Sequence, residues 1–150
     1  MQIDHVNLVV AALDRTQAFY QNVFNLEVIL EARLNGSWID EVMELQDVDA
    51  RCIILADSER MLRIELLCFT HPPTLAGDSH RPPMALGLRH FAVRVANLDA
   101  CLDRARQFPD VHVGPVVNVP TTILASGKRM AYLRDPDGVI VELCQYGESR

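Results

Sequence analysis

The sequence predicts an α+β fold built from two βαβββ modules, and three observations carry that expectation. The first is an internal echo: Arg89–Asp99 (RHFAVRVANLD) repeats Asp4–Asp14 (DHVNLVVAALD), with His90 on His5, Leu98 on Leu13 and Asp99 on Asp14. The second is a matching pair near the ends of the halves, Ile64-Glu65-Leu66 and Val141-Glu142-Leu143. The third is a break between them, Thr70–Pro83, whose four prolines and one glycine suit neither a helix nor a central strand. A long unit that occurs twice implies a duplicated module rather than a solenoid. The expected division is a first module at 1–69, a connector at 70–87 and a second module at 88–150, together one compact domain.

Each element has a local reason. Gln2–Val10 alternates apolar and polar side chains in the manner of a strand, with Ile3, Val6, Leu8 and Val10 apolar. Asp14 is the expected N-cap of a helix whose apolar positions are Ala18, Phe19, Val23 and Phe24. Leu26–Leu34 is apolar and branched enough for a second strand. Gly36–Leu45 fits either a short helix with Trp38, Val42 and Leu45 on its apolar face, or an ordered loop. Arg51–Ala56 and Met61–Phe69 are strands separated by the turn residues Asp57-Ser58-Glu59. In the second half, Leu88–Val95 restarts the pattern, and Asn97 or Asp99 caps a helix carrying Leu102, Ala105 and Phe108. Val111–Val119 and Thr122–Leu133 are further strands. The DPDG of Asp135–Gly138 is a turn, because proline fixes one φ and glycine permits a positive one. Val139–Tyr146 is the last strand.

Composition narrows the classes of function. A 49% hydrophobic and 23% charged chain is ordinary for a globular domain. Its net charge of −6 argues against nucleic acid and anionic membranes as partners, since both require a basic patch. No apolar run is long enough for a transmembrane helix, and Val6–Leu13 lacks the basic leader of a signal peptide. Cys52, Cys68, Cys101 and Cys144 form no CxxC pair and lie among apolar residues. They read as buried thiols in a reducing compartment, so the cytoplasm is the expected location.

The chemistry begins with alternation. His5, Asn7 and Val9 share one strand face, away from Val6, Leu8 and Val10, and His90 and Ala92 share the corresponding face in the second module. Glu65 lies with Arg63 and Leu67, and Glu142 with Ile140 and Cys144. A glutamate inside IEL or VEL is an improbable core residue, because a buried carboxylate is expensive without a partner. Two histidines and two glutamates at equivalent positions suit a divalent transition metal with open positions. A structural network is the alternative, and Arg63 offers Glu65 an ion pair within one.

The layout resembles the vicinal oxygen chelate superfamily, which includes glyoxalase I, methylmalonyl-CoA epimerase, fosfomycin-resistance proteins and extradiol dioxygenases. The resemblance spans nearly the whole chain and is most specific in DHVNLVV, LRHFAVRVANLDA and YLRDPDGVIVELCQY. It implies paired βαβββ modules curled around a metal, with His5, Glu65, His90 and Glu142 as ligands. The ion it implies is Ni, Co, Zn, Mn or Fe, and the substrate a small molecule with vicinal oxygens. By resemblance to glyoxalase I, Glu142 is the first choice for catalytic base and Glu65 the second. A homodimer is also implied, with the site formed within one chain or between two.

Departures from the family's patterns limit the assignment. The strand motif with which glyoxalase I recognises glutathione is missing from GSWIDEVMELQDV. The opening IDHV and closing VIVELCQY are closer to methylmalonyl-CoA epimerase, yet Glu65 stands where a glutamine is expected. GSW and FTHPPTLA are most similar to bacterial glyoxalase-like proteins. Three functions follow. The leading one is a metal-dependent lyase, isomerase or epimerase that transfers a proton next to a chelated carbonyl. An extradiol-type Fe(II) dioxygenase would use only His5, His90 and Glu142. A non-catalytic protein would bind a small molecule or antibiotic in the same cavity. The remaining polar residues read as structural: His71, His80 and His112 as surface, Arg94 and Arg134 as surface charge in preference to contacts with an anionic substrate, Tyr132 and Tyr146 as packing, and Trp38 as the edge of the core in preference to a pocket wall.

Overall fold

A computed structural model describes residues 2–75, 77 and 81–147, so His80 lies outside the described residues. The architecture is α+β with two mixed sheets, as the sequence leads one to expect. Internal contacts divide the chain into two compact units, Met1–Gly77 and Asp78–Arg150. Among the described residues, no helix is long and apolar enough to cross a membrane.

The first unit runs β1 (Val6–Val9), α1 (Leu13–Phe24), β2 (Glu27–Asn35), α2 (Ser37–Met43), β3 (Asp49–Ala56) and β4 (Arg63–His71). Its sheet has the order β1-β4-β3-β2, with β1 parallel to β4 and the other pairs antiparallel. A parallel pair needs a crossover, and the elements from α1 to β3 supply it. Leu13, Thr16, Phe19, Tyr20 and Val23 are the buried stripe of α1. The buried Leu8, Ile53, Leu55, Ile64 and Leu66 complete the unit's core.

Two local expectations are corrected here. Asp14 is not the N-cap of α1. The helix starts one residue earlier behind an extended Ala12 with no side-chain cap, and Asp14 falls in the first turn, where a carboxylate favours the helix dipole. In α2 the buried side chain is Ile39, whereas Trp38, Val42 and Leu45 are exposed, so Trp38 is not a core-edge residue. The Asp40 carboxylate accepts the Val48 N–H at 2.8 Å, which ties the Ile39–Asp40 side of this short helix to the following chain.

The second unit runs β5 (His90–Arg94), α3 (Leu98–Ala105), β6 (His112–Val113), β7 (Val117–Val119), β8 (Lys128–Arg134) and β9 (Ile140–Tyr146). The sheet order is β5-β9-β8-β6, with β7 also on β8, and β5 is parallel to β9. This is the first unit's topology with one strand broken in two. Asn97 is the N-cap, its Oδ1 accepting the Ala100 N–H at 3.0 Å. The α3 face of Leu98, Cys101, Leu102 and Ala105 is buried, as are Ala131, Leu133, Val141 and Leu143.

The single strand expected at Val111–Val119 is therefore β6 and β7. Pro115 has no N–H for the ladder, and Gly114 N–H bonds the Tyr132 carbonyl at 2.8 Å. The long strand expected from Thr122 begins only at Lys128, because Pro120–Gly127 closes on itself through Ile123 N–H to Pro120 O and Gly127 N–H to Leu124 O. The DPDG turn is structural. Asp135 is buried, and its Oδ1 accepts the N–H groups of Asp137 and Val139. Arg134 serves the same turn by donating to the Gly138 carbonyl.

Candidate functional site

In each unit the histidine and the glutamate meet, and they meet on the same diagonal. In the first, Asn7 of β1 is opposite Glu65 of β4, and His5 stands two residues before Asn7. In the second, Ala92 of β5 is opposite Glu142 of β9, and His90 stands two residues before Ala92. Because side chains alternate, each histidine shares the face of its glutamate. The Nε2–Oε2 separation is 3.3 Å for His5 and Glu65 and 3.4 Å for His90 and Glu142.

The surroundings of the two pairs differ. Glu65 accepts from Asn7 Nδ2 at 2.8 Å and faces the Cys52 thiol at 3.5 Å. Burial, with the Glu65 charge beside it, pushes the Cys52 thiol up to about 12, so it stays protonated at neutral pH. His5 Nδ1 is 2.9 Å from Asp4 Oδ2, and Asp4 Oδ1 in turn pairs with Arg63 at 3.0 Å. The hydrogen bond from His5, helped by the Arg63 charge, holds the Asp4 carboxyl below the usual carboxylate range. Arg63 thus pairs with Asp4, and the structural ion pair considered for Glu65 is not the one formed.

Glu142 is buried, and Lys128 of β8 donates to its Oε1 at 2.5 Å. That bond raises the Lys128 ammonium above its ordinary value. Tyr132, opposite Glu142 in the β8–β9 register, lies against the His90 ring with centroids 5.2 Å apart. Lys128, Asp4 and Cys52 are the site neighbours that sequence reasoning missed, whereas alternation had already put Asn7 on the His5 face. A signal existed for Lys128: counting back through the DPDG hairpin pairs Tyr132 with Glu142, and alternation then puts Lys128 on the Glu142 face.

A divalent ion is tested by these distances. Two donors at about 2.1 Å from one ion stand about 3.0 Å apart at right angles and about 3.4 Å at the tetrahedral angle, so both His–Glu pairs have the spacing of neighbouring ligands. Asp4 strengthens the fit. A carboxylate at Nδ1 accepts a hydrogen bond from an Nδ1–H tautomer, and in that tautomer the Nε2 lone pair faces Glu65, where a cation would relieve lone-pair repulsion. Imidazole and carboxylate are also the donors that intermediate divalent metals accept. Among the described residues, no group of three or more His, Cys, Asp or Glu side chains forms a metal cluster, so each unit presents two donors.

The remaining histidines and thiols are elsewhere. His71 and His112 are exposed, as expected of surface residues. Cys68 is half-buried and Cys101 buried under α3, while burial raises the Cys144 thiol on the Glu142 face.

Residues 2–143 match the model of the Glyoxalase/Bleomycin resistance protein/Dioxygenase superfamily. The chain is 26% identical to YwkD of Bacillus subtilis, with 94% of each chain covered. A crystal structure of a glyoxalase family protein from Bacillus cereus superposes with a TM-score of 0.87 at 25% identity, covering 98% of this chain and 95% of that one. The fosfomycin resistance protein FosX from Listeria monocytogenes, crystallised with Mn(II) and a dihydroxypropylphosphonic acid, shares the fold at a TM-score of 0.59 and 22% identity, covering 94% and 86%.

Proposed function

We propose that this chain, which belongs to the Glyoxalase/Bleomycin resistance protein/Dioxygenase superfamily, is a metal-dependent lyase, isomerase or epimerase. It transfers a proton next to the carbonyl of a small molecule with vicinal oxygens. The observation that carries this reading is the repeated diagonal, which sets an imidazole nitrogen 3.3–3.4 Å from a glutamate oxygen in both units. His5, Glu65, His90 and Glu142 are the proposed ligands of a divalent ion (Ni, Co, Zn, Mn or Fe). FosX with its Mn(II) is the supporting precedent among the structural neighbours. The protein is further proposed to be a cytoplasmic homodimer.

Bound there, such an ion supplies a Lewis acid for a carbonyl and its neighbouring oxygen. The chain's residues do the rest. Glu142 is the proposed base, taking the proton from the adjacent carbon and returning it. Lys128 holds Oε1 of that carboxylate and so sets the direction of the other oxygen. Tyr132 supports the His90 ring from the side. Glu65, already accepting from Asn7, is the second candidate for base.

The test is exchange of the α-proton for deuterium in a panel of α-hydroxy carbonyl and 2-substituted acyl compounds. The Mn(II)-loaded protein should exchange at least one of them, and Glu142→Gln should slow that exchange about a hundredfold or more. Undiminished exchange in Glu142→Gln would remove the assigned base. A second reading has its own observation: Asn7 donates to one Glu65 oxygen and the Cys52 thiol to the other, so both oxygens already have protein partners. The subset His5, His90 and Glu142 is the facial triad of an Fe(II) extradiol dioxygenase. Ring cleavage of catechols by anaerobically iron-loaded protein would favour it.

A further inference from the structure

The Glu142 face of the second sheet carries two cations, Lys128, which already serves Glu142, and Arg94, which the proton-transfer chemistry does not use. The register places Arg94 opposite Cys144 and Lys128 opposite Tyr146. Alternation puts all four on the face of His90 and Glu142. Both cations lie over one ring: Arg94 Cζ is 5.1 Å and Lys128 Nζ 5.6 Å from the Tyr146 centroid. Such contacts orient a cation without neutralising it. Among the described residues, Arg94 makes no ion pair, while the other arginines of this sheet are bonded, Arg129 to Asp99 and Arg134 to the Gly138 carbonyl. Its guanidinium therefore keeps its forked donors for a ligand. Lys128 is already paired with Glu142, so the uncompensated charge at this ring is that of Arg94, and an oxyanion beside it would balance that charge.

We propose that Arg94 and Lys128, steadied on Tyr146, hold an oxyanion, so that the substrate is a small acid. Its carboxylate, phosphonate or phosphate group lies beside the carbon that reacts. The inference rests on the proposed site for its second half only, since the oxyanion subsite belongs to the second unit alone. Arg94 stands one same-face step along the strand from the Glu142 row, roughly 7 Å. That spacing separates the charged group from the reacting carbon by only a few bonds, which excludes large acyl carriers with a remote charge. Lys128 divides its ammonium between Glu142 and the anion, and so links substrate binding to the proposed base.

The experiment is calorimetric titration of the whole protein with inorganic phosphate and with methylphosphonate, each with and without Mn(II). Both probes should bind in both conditions. Arg94→Ala should weaken them about tenfold or more and Arg94→Lys less, because a guanidinium fork loses both bonds while an ammonium keeps the charge. Arg106→Ala, an exposed arginine of another surface, is the control and should leave binding unchanged. Arg94 is exposed, so its variants fold; Tyr146→Leu tests the support independently and should also weaken binding. Absence of phosphate binding in the wild type, or equal binding in Arg94→Ala, overturns the proposal. Failure of Mn(II) to bind while phosphate still does would instead reject the metal reading and leave the oxyanion subsite standing.

Discussion

Lys128 and Glu142 show how much of this site depends on one contact. The glutamate is 6% exposed, and the ammonium at its Oε1 is the cation that compensates its burial. Lys128→Met keeps the aliphatic stem and removes the charge. It should lower stability by about 1–3 kcal/mol, read from urea denaturation. Unchanged stability would mean that solvent serves Glu142 instead. Cys52 makes a second prediction at this scale. Its thiol is buried and pushed up to about 12, so the folded protein should alkylate at half-buried Cys68 well before Cys52 at neutral pH. Peptide mapping after a short exposure to iodoacetamide would check the order. Both neighbourhoods were hard to read in the sequence for one reason. His5, Glu65, His90 and Glu142 stand out because the chain says them twice, whereas Lys128 and Cys52 have no repeated counterpart and acquire meaning only from strand register.

At the scale of elements, the first turn of α3 is tied to β8 by Arg129, whose two nitrogens meet both Asp99 oxygens at 3.0 and 2.9 Å. The hydrogen bond from Arg129 lowers the Asp99 carboxyl below its ordinary value. A depressed carboxyl stabilises the fold above its unfolded-state value and loses that contribution as pH falls through the folded one. The difference in urea midpoint between wild type and Asp99→Asn should therefore be present at pH 6 and shrink toward zero below the ordinary carboxylate range. A difference that persists in acid would assign the effect to something other than this ion pair. Gly114 makes the complementary case for packing. A Cβ there would stand 2.9 Å from the Tyr132 carbonyl oxygen. Gly114→Ala should push β8 outward and destabilise the protein by about 1–3 kcal/mol, seen as a lower thermal midpoint. It should also disturb the Tyr132 ring against His90. Strand positions were legible wherever alternation was clean, as in β1 and β4. They blurred at β6 and β7, where Gly114 and Pro115 interrupt pairing, and at α2, where seven residues are too few for a helical stripe to declare which face is buried.

For the whole molecule, duplication explains both the fold and the equivalence of the two His–Glu diagonals. Both sheets put the parallel pair where the first strand, with the histidine just before it in β1 and at its start in β5, meets the glutamate-bearing last strand. The exposed apolar residues Val28, Ile29 and Leu30 of edge strand β2, with Trp38 and Val42 of α2, bear on the proposed homodimer. An uncovered edge strand with such residues is a site for pairing. Sedimentation velocity at micromolar concentration should return twice the 16.9 kDa chain mass, and a monomer would contradict the dimer. Superfamily and architecture were legible because the repeat, the connector and the closing VEL motif are features of the chain as a whole. The substrate was not, because the proposed oxyanion subsite becomes visible only when strand register brings Arg94, Lys128 and Tyr146 to one face.

The central claim is that the two His–Glu pairs are metal ligands, and elemental analysis tests it most directly. Protein purified without chelator or metal-affinity columns, and its His5→Ala, Glu65→Ala, His90→Ala and Glu142→Ala variants, would be measured for bound metals. The account predicts about one equivalent of a divalent transition metal in the wild type, lost in all four variants. Iron retained when Glu65 alone is removed would select the three-ligand dioxygenase. No metal in the wild type, even after reconstitution, would contradict the claim and leave a small-molecule-binding protein on this scaffold.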